Sequence, residues 1–238
     1  MMCSRLKPLA LAAMLAVPTA ASAQSLVEKL LRVSGLTASP TQLRTQGVEG
    51  EAGSIWVAGP GQRPPRALTT DGGYRSPVFS PAGEIYALKY NVLVRIPAEG
   101  GAAIAVHTLP GVIKLAGFDR NSADEIVVLL NGAAGSPLGT LSLAGGKVTP
   151  LAYDPRSRDE ERMLTQIRGQ DRVYGDIRLY TETESKRGLA RTIEWTDVYL
   201  RRGTAAPQNM SRCDGANCIQ PSLSPDQQTV AFIKTEGR

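Results

Sequence analysis

A degenerate internal repeat is the feature of the sequence that most restricts the possible folds. Its clearest copies are residues 77–81 (Pro-Val-Phe-Ser-Pro) and 221–225 (Pro-Ser-Leu-Ser-Pro), and each leads across a turn into an apolar run, 85–88 or 230–233. The two copies are separated by about three units of 48 residues, which lies within the period of roughly 40–50 residues typical of propeller blades. The repeat therefore predicts a β-propeller.

A second element of the repeat occurs four times and indicates four blades. It is an apolar run that stops at glycine and is followed by a short strand with a polar edge. The runs are residues 55–57, 92–96, 141–143 and 198–200, which end before Gly59, Gly100, Gly145 and Gly203. Short strands separated by Gly and Pro in this way predict an all-β fold.

The two ends of the repeat region complement each other. The first recognisable unit, 54–69, contains only the last two strands of a blade, and the last unit, 221–238, contains only the first two. A ring closed by joining these halves leaves no long unpaired strand edge. We therefore predict a four-bladed propeller over residues 54–238, with the last blade closed by N- and C-terminal strands. The alternative is an open array with two imperfect ends.

Residues 1–23 have the pattern of a cleaved signal peptide. Arg5 and Lys7 precede an uncharged apolar run at 9–17, and Ala21-Ser22-Ala23 is an A-x-A cleavage site. The apolar run is shorter than the roughly 20 residues that a membrane-spanning helix needs. We expect cleavage near Ala23 and a periplasmic or secreted mature protein.

Residues 24–53 are predicted to form a short helix and a linker. Leu26, Leu30 and Val33 have the spacing of one helical face, so the pattern predicts a helix from Ser25 to Val33. Gly35 is the residue expected to terminate it. We expect its apolar face to pack on the propeller itself.

Two cysteines remain after loss of the signal peptide, and they predict a structural disulfide. Cys213 and Cys218 flank the turn-like sequence Asp-Gly-Ala-Asn. In an oxidising compartment, two thiols that close such a short loop form a local disulfide. A metal site is the alternative, but further Cys or His residues are missing nearby.

The repeat resembles that of TolB-like propeller proteins, which has the pattern Pro-x-aromatic-Ser-Pro-Asp-Gly. Residues 77–83 match it except at Ala82, and 221–226 match it with Leu223 in place of the aromatic residue. The resemblance implies a location in the bacterial envelope and contacts with a protein partner. Residues 24–53 are too few to form the α/β domain that precedes the propeller in TolB proteins.

The charge and motifs of the chain exclude several classes of ligand. Loss of Arg5 and Lys7 lowers the formal net charge from +5 to +3, which is too small and too evenly spread to indicate nucleic acid or an acidic membrane surface. The sequence contains no calcium-loop or phosphate-loop motif. We expect a monomer without a cofactor, a resident metal or a membrane span.

The sequence contains no catalytic constellation. His107 is the sole histidine, and we interpret it as an ordinary residue of a blade strand. A glycosidase would need two facing acids, and the candidates are Asp119, Asp124, Glu125, Asp171, Asp176, Glu194 and Asp197. Since their spacing distinguishes none of them, we predict a non-enzymatic binding or scaffolding module. The alternatives are a hydrolase of a carbohydrate or lactone and an inhibitor or immunity-type protein.

The third blade contains the best candidate surface for a partner. Residues 177–184 and 189–195 alternate like the strands of a hairpin, whose turn we place at Ser185, Lys186, Arg187 and Gly188. The mixed-charge run 156–162 precedes this hairpin, and we interpret it as a solvated face. Together we expect them to form a polar protrusion that recognises a protein partner of the envelope.

Overall fold

Four antiparallel sheets of four strands each form the structure, as the repeat predicts. The computed structural model describes residues 26–33, 35–36, 51–59, 64–97, 99–132, 136–188 and 191–236. Residues 1–25, which include the predicted signal peptide, and residues 37–50 of the predicted linker lie outside this range. Among the described residues, none belongs to a helix long and apolar enough to cross a membrane.

The helices and strands of the described chain follow one another in a regular order. Their bounds are α1 Leu26–Leu31, β1 Ser54–Ala58, β2 Arg66–Ala67, β3 Tyr74–Phe79, β4 Ile85–Lys89, β5 Val92–Ile96, β6 Ile104–Thr108, β7 Val112–Phe118, β8 Glu125–Leu130, β9 Leu138–Ser142, β10 Val148–Pro150, α2 Arg158–Arg168, β11 Arg172–Tyr174, β12 Ile177–Arg187, β13 Thr192–Arg202, β14 Gln208–Asn209, β15 Asn217–Leu223 and β16 Val230–Thr235. Blades 1, 2 and 3 are β3–β6, β7–β10 and β11–β14, respectively.

Blade 4 combines both ends of the propeller sequence, in the strand order β15-β16-β1-β2. Strand β1 pairs with β16 in antiparallel register, with Ile55 opposite Ile233 and Val57 opposite Ala231. The N-terminal strands therefore complete the sheet that the C-terminal strands begin. This pairing confirms the predicted closure of the ring and the predicted four-bladed all-β fold.

The proline repeat forms a β-bulge in two innermost strands. In β3 the register shifts between Arg75 and Val78, and in β15 it shifts between Ile219 and Ser222. Ser76 and Gln220, each directly before the first proline of its motif, have φ angles of 52° and 54°. Such angles are uncommon for residues other than glycine, and they bend each strand at an equivalent position.

The serine of the repeat stabilises the turn that follows the innermost strand. Ser80 Oγ accepts a hydrogen bond from Glu84 N at 3.1 Å, and Ser224 Oγ accepts one from Thr229 N at 2.8 Å. Side chains of Ser favour turns by binding nearby backbone groups in this way. The Ser-Pro pair therefore specifies both the strand exit and the turn.

Three of the four junctions between blades are sheet packed against sheet. Their cores contain fully buried side chains from both neighbours. Examples are Ile55 and Ile85 for blades 4 and 1, Leu88 and Ile126 for blades 1 and 2, and Leu179 and Phe232 for blades 3 and 4. This packing follows from the alternation of apolar residues along each strand.

The junction between blades 2 and 3 differs, because both helices pack there. Leu30 of α1 and Ile167 of α2 are fully buried with Val127 of β8 in one cluster. Helix α1 is the short N-terminal helix that the sequence predicts, and it packs on its own domain. Val173 N of β11 donates to Gly35 O at 3.1 Å, which ties blade 3 to this helical layer.

Most of the charged run at 156–162 lies in helix α2, and Arg156, Arg158, Asp159, Glu161 and Arg162 are exposed, as expected of a solvated face. Ser157 caps the helix and accepts a hydrogen bond from Glu160 N at 3.3 Å. Met163, Leu164 and Ile167 follow on one face and are buried against α1 and blade 2. The charged residues therefore form the solvated face of a helix whose other face packs into the ring, and in this part the predicted polar protrusion is replaced by a packed helix.

Candidate functional site

The hairpin of blade 3 is longer than the sequence indicated. Strands β12 and β13 pair over their full length, from Ile177 opposite Arg202 to Arg187 opposite Thr192. Ser185, Lys186 and Arg187 were predicted to form the turn, but they belong to β12, and the chain reverses beyond them, where Gly188 N donates to Arg191 O at 2.9 Å. Leu189 and Ala190 lie outside the described residues.

The polar composition of the hairpin explains why its turn was misplaced. A strand that is buried on one face alternates apolar and polar residues, and this alternation locates its ends. The outer part of β12 is Thr-Glu-Thr-Glu-Ser-Lys-Arg, and its last three side chains are exposed. Because neither face is buried there, the sequence does not distinguish strand from turn.

The outer half of this hairpin extends beyond the rest of blade 3. Strand β11 pairs only with residues 177–179 of β12, and β14 pairs only with Tyr199 and Leu200 of β13. Within the part of the chain that the structure describes, residues 181–187 pair with β13 alone. Among the described residues, the outer edge of β12 therefore presents backbone N–H and C=O groups that no neighbouring strand pairs with.

A buried carboxylate holds the base of the hairpin. Asp197, in β13, is 3% exposed and accepts hydrogen bonds from Trp195 Nε1 at 3.0 Å, Ser211 Oγ at 2.7 Å and Cys213 N at 2.6 Å. Asn209 Nδ2 donates a further bond at 2.9 Å. Burial acts to raise the pKa of Asp197, but the hydrogen bonds together place that pKa below its ordinary value.

Two tyrosines stiffen the hairpin above this carboxylate. The rings of Tyr180 and Tyr199 stack across the two strands with centroids 5.9 Å apart. The Tyr199 hydroxyl donates to Glu184 Oε1, and burial together with this bond raises the pKa of Tyr199 to about 12. The outer half therefore extends from a well-anchored base.

The predicted disulfide between Cys213 and Cys218 is confirmed. The two Cα atoms are 6.1 Å apart, and both side chains are buried between blades 3 and 4. Because Cys213 N donates to Asp197, the disulfide loop and the hairpin base form one connected unit.

His107 and the candidate acids occupy separate local networks. His107 Nε2 lies 2.6 Å from Leu143 O and connects blade 1 to blade 2. Asp119 pairs with Arg32, Glu125 with Lys29 and Asp171 with Arg178. Asp124, Asp176 and Glu194 are exposed. Among the residues that the structure places, no three His, Cys, Asp or Glu side chains form a group able to hold a metal ion.

A cavity of about 460 Å³ occupies the central channel, where the innermost strands of all four blades meet. Its walls include Pro77 of β3, Leu115 of β7, Arg172 of β11 and Pro221 of β15. Arg120 and Asp176 are exposed and line the same cavity just beyond the ends of β7 and β11. We call this space the channel cavity.

Two buried cations lie in the wall of the channel cavity. Lys114 and Arg172 are 7% and 6% exposed. Lys114 Nζ donates to Gly169 O at 2.8 Å, and Arg172 Nη1 donates to the same oxygen at 3.2 Å. Sequence reasoning missed both residues, since neither lies in a motif and the closed ring brings them together.

Comparison with known proteins supports no family assignment. No protein-family model and no curated protein match the chain. Among solved structures, a calcium-binding protein, regucalcin, from Agrobacterium tumefaciens has a TM-score of 0.30 and 11% sequence identity, and the match covers 69% of this chain and 91% of that one. The propeller architecture expected from the repeat is confirmed by the four sheets, whereas the TolB-like resemblance stays a prediction.

Proposed function

We propose that the protein is a TolB-like propeller of the periplasm that binds a protein partner through the hairpin of blade 3. The observation that carries this proposal is the open outer edge of β12, between residues 181 and 187, on an anchored base. Binding, rather than catalysis, is the function that this arrangement serves.

An open strand edge binds an extended segment of another protein by adding it as a further strand. The backbone groups of the edge supply the affinity, and the side chains beside it supply the specificity. On β12, Glu182 and Glu184 lie nearer the ring, and Lys186 and Arg187 lie nearer the tip. The complementary partner is an extended segment with basic residues near the ring and acidic residues near the tip.

The anchored base favours tight recognition. A strand edge that is already ordered loses little conformational entropy when a partner adds to it. Asp197, the stacked tyrosines and the Cys213–Cys218 disulfide all immobilise the inner half of the hairpin. The disulfide also supports an oxidising compartment such as the periplasm.

The hydrolase alternative has less support from the same geometry. Glycoside hydrolysis requires two carboxyl groups that face each other across the substrate. The buried acids among the described residues already have partners, since Asp119 and Asp171 pair with arginines and Asp197 accepts four hydrogen bonds. We therefore propose a protein without enzymatic activity.

The proposal is tested by site-specific photo-crosslinking in an envelope extract of the native organism. A photoreactive residue replaces Thr183, which is exposed on β12, and a matched protein carries it at Thr149, which is exposed on β10 of blade 2. We expect one saturable partner to be crosslinked from position 183 and none from position 149. Equal crosslinking from both positions would contradict the proposal.

A charge reversal then tests the chemistry of recognition. Combining Lys186→Glu with Arg187→Glu keeps the strand but inverts the charge at the tip, and we expect the yield of the crosslinked partner to fall by about tenfold. The matched control combines Lys147→Glu with Arg156→Glu, which change two exposed cations on other parts of the ring. The idea fails if both double variants retain the partner equally.

A further inference from the structure

The charge pattern of the outer half of β12 is complementary to its own reverse. Its acids, Glu182 and Glu184, lie nearer the ring, and its cations, Lys186 and Arg187, lie nearer the tip. An antiparallel copy of the same strand runs in the opposite direction, so it brings its basic residues near the ring and its acidic residues near the tip. This is the arrangement of charge that the open edge favours in a partner.

Two copies of one strand edge can pair around a two-fold axis perpendicular to the sheet. Such an axis places one residue opposite itself in the second copy and pairs the residues on either side of it crosswise. The identity of the central residue therefore fixes every other pair in the ladder.

The charges of β12 favour one central residue. Centring the axis on any of the four charged positions places that charge opposite its own copy, and centring it on Thr183 places Glu182 opposite Glu184. Like charges directly opposite each other destabilise a sheet. Between positions 182 and 187, Ser185 is the one centre that avoids such a pair.

The register centred on Ser185 brings opposite charges together on both sides of the axis. Glu184 of each copy lies opposite Lys186 of the other, and Thr183 lies opposite Arg187. Cross-strand pairs of opposite charge stabilise a ladder. Glu184 is also ordered at this position, because its Oε1 accepts a hydrogen bond from the Tyr199 hydroxyl.

The same register leaves room for both rings. It forms a ladder over residues 182–188, whereas β11 covers the edge of β12 only as far as Leu179. Leu179 of the second copy would lie opposite position 191 of a continued strand, but the first hairpin has already reversed there, since Gly188 N donates to Arg191 O. The second ring therefore begins beyond the tip of the first hairpin.

We propose that the partner of the open edge is a second copy of this chain, which adds its own β12 antiparallel around Ser185 to form a two-fold dimer. The proposal rests on the proposed function, because it names the partner of the same edge. Two-fold pairing covers both β12 edges and stops there, whereas pairing of unlike edges continues from copy to copy. This assembly differs from the monomer expected from the sequence.

Sedimentation of the purified mature protein measures the dimer directly. Because the contact is a single strand edge, we expect a dissociation constant of about 1–100 μM. A protein that stays monomeric up to about 500 μM would overturn the proposal, because at that concentration a dimer of the expected affinity is the main species.

Cysteine substitutions at exposed positions test the register. Ser185→Cys lies opposite itself with Cα atoms about 4.5–5.5 Å apart, which suits a disulfide, so we expect a covalent dimer on mild oxidation. Thr183→Cys lies about 14 Å from its own copy, because strands rise about 3.4 Å per residue and position 183 lies opposite 187, so it should not crosslink.

Thr149→Cys is the matched control, because Thr149 is exposed on β10, the outermost strand of blade 2. It should give no covalent dimer. Equal yields from Ser185→Cys and Thr149→Cys would indicate random collision, and a higher yield from Thr183→Cys than from Ser185→Cys would show a different register. Either result contradicts the proposal.

A charge swap distinguishes a second copy from any other partner. Lys186→Glu alone places two glutamates opposite each other on both sides of the axis, and we expect the dimer to weaken by about tenfold. Adding Glu184→Lys restores opposite charges in exchanged positions, so the double variant should dimerise within about threefold of the unchanged protein. For a different partner, whose charges stay the same, the second substitution would weaken binding further.

The folding of the charge variants is checked by circular dichroism, because Glu184→Lys removes the acceptor of the Tyr199 hydroxyl. A folded double variant that dimerises no better than Lys186→Glu would overturn the proposal. If the double variant does not fold, the comparison of Ser185→Cys with Thr149→Cys decides the question.

Photo-crosslinking from position 183 in the envelope extract separates failure of this proposal from failure of the proposed function. Capture of a second copy supports both. Capture of a different protein, with the purified chain monomeric, would overturn the dimer and leave the edge as the binding surface. Capture of no second molecule, including a crosslink from position 183 to another segment of the same chain, would overturn both.

Discussion

The junction of blades 4 and 1 and the junction of blades 2 and 3 solve the same packing problem differently. The first packs two sheets through aliphatic side chains such as Ile55 and Ile85, and backbone pairing between Gly53 and Tyr74 reinforces it. The second inserts α1 and α2, and the buried cations Lys114 and Arg172 bind the end of α2. One junction is apolar and formed by the repeat, whereas the other is helical and partly charged.

The difference between the two junctions follows from the sequence repeat. Repeated sequence produces repeated sheet junctions, and at the junction of blades 4 and 1 the core cluster consists of apolar side chains. The chain departs from its repeat between β10 and β11, where α2 replaces direct sheet packing. The same departure brings the end of α2 to Lys114 and Arg172, which line the channel cavity from β7 and β11.

The largest effects that test this comparison come from deleting fully buried side chains at each junction. Ile233→Ala at the junction of blades 4 and 1 and Ile167→Ala in α2 should each lower the free energy of unfolding by about 3 kcal/mol, because each removes a side chain with 0% exposure. Urea unfolding followed by circular dichroism gives both values.

Ile193→Ala provides the control, because this side chain on the hairpin is 40% exposed, and its loss should change stability by no more than about 0.5 kcal/mol. A cost below about 1 kcal/mol for Ile167→Ala would mean that the helical layer is not part of the cooperative core. The two junctions would then differ in stability as well as in architecture.

Glycine substitutions distinguish a rigid junction from an adaptable one. A Cβ on Gly53 would lie 2.2 Å from Lys234 O, a backbone atom of β16, so Gly53→Ala should cost about 2–3 kcal/mol. A Cβ on Gly35 would lie 2.7 Å from Arg172 Cδ, a side-chain atom rather than a backbone atom. Since Gly35 also has a φ angle of +84°, we expect Gly35→Ala to cost about 1–2 kcal/mol.

Gly72 is the matched control, because a Cβ there would meet nothing within 4 Å, and Gly72→Ala should be close to neutral. Thermal unfolding of the three variants ranks them. A larger cost at Gly35 than at Gly53 would show that the helical junction, not the sheet junction, is the more rigid of the two.

The sheet junctions could be predicted from the sequence because their determinants are local. Pro77 and Ser80, and equally Pro221 and Ser224, specify a bulge and a turn within a few residues, so the repeat is visible without the fold. The short helix α1 was visible for the same reason, through the spacing of its apolar residues.

The helical junction was not predicted, for two reasons. Charged residues obscure the helical pattern of α2, and Lys114 and Arg172 are far apart in the sequence. The capping sequence from Ser157 to Glu160, followed by buried Met163 and Ile167, indicates α2, but the surrounding charged residues favoured a solvated segment. Lys114 and Arg172 lie in no motif, and only in the folded ring do both donate to the Gly169 carbonyl at the end of α2. No local pattern of residues predicts a contact of that kind.

Acid should destabilise the junction of blades 3 and 4 before it destabilises the helical junction. This is the smallest of the expected effects. Asp197 has a folded pKa below its unfolded value of about 3.9, so its contribution to stability is fully present above about pH 4 and is lost as the pH falls through the folded pKa. Asp197→Asn should therefore cost about 1–2 kcal/mol at pH 7, and this difference from the unchanged protein should shrink below about pH 4. Unfolding measured across this pH range tests both statements.

Hydrogen exchange locates the acid effect at the predicted junction. The Cys213 amide donates to Asp197, so its protection, corrected for the intrinsic rate, should fall with acid before that of Gly169, which donates to Thr165 O at the end of α2. Asp124→Asn, at an exposed acid, should leave this order and the pH profile unchanged. If Gly169 loses protection first, the helical junction is the acid-sensitive one, and protonation of Asp197 is not the event that first weakens the fold.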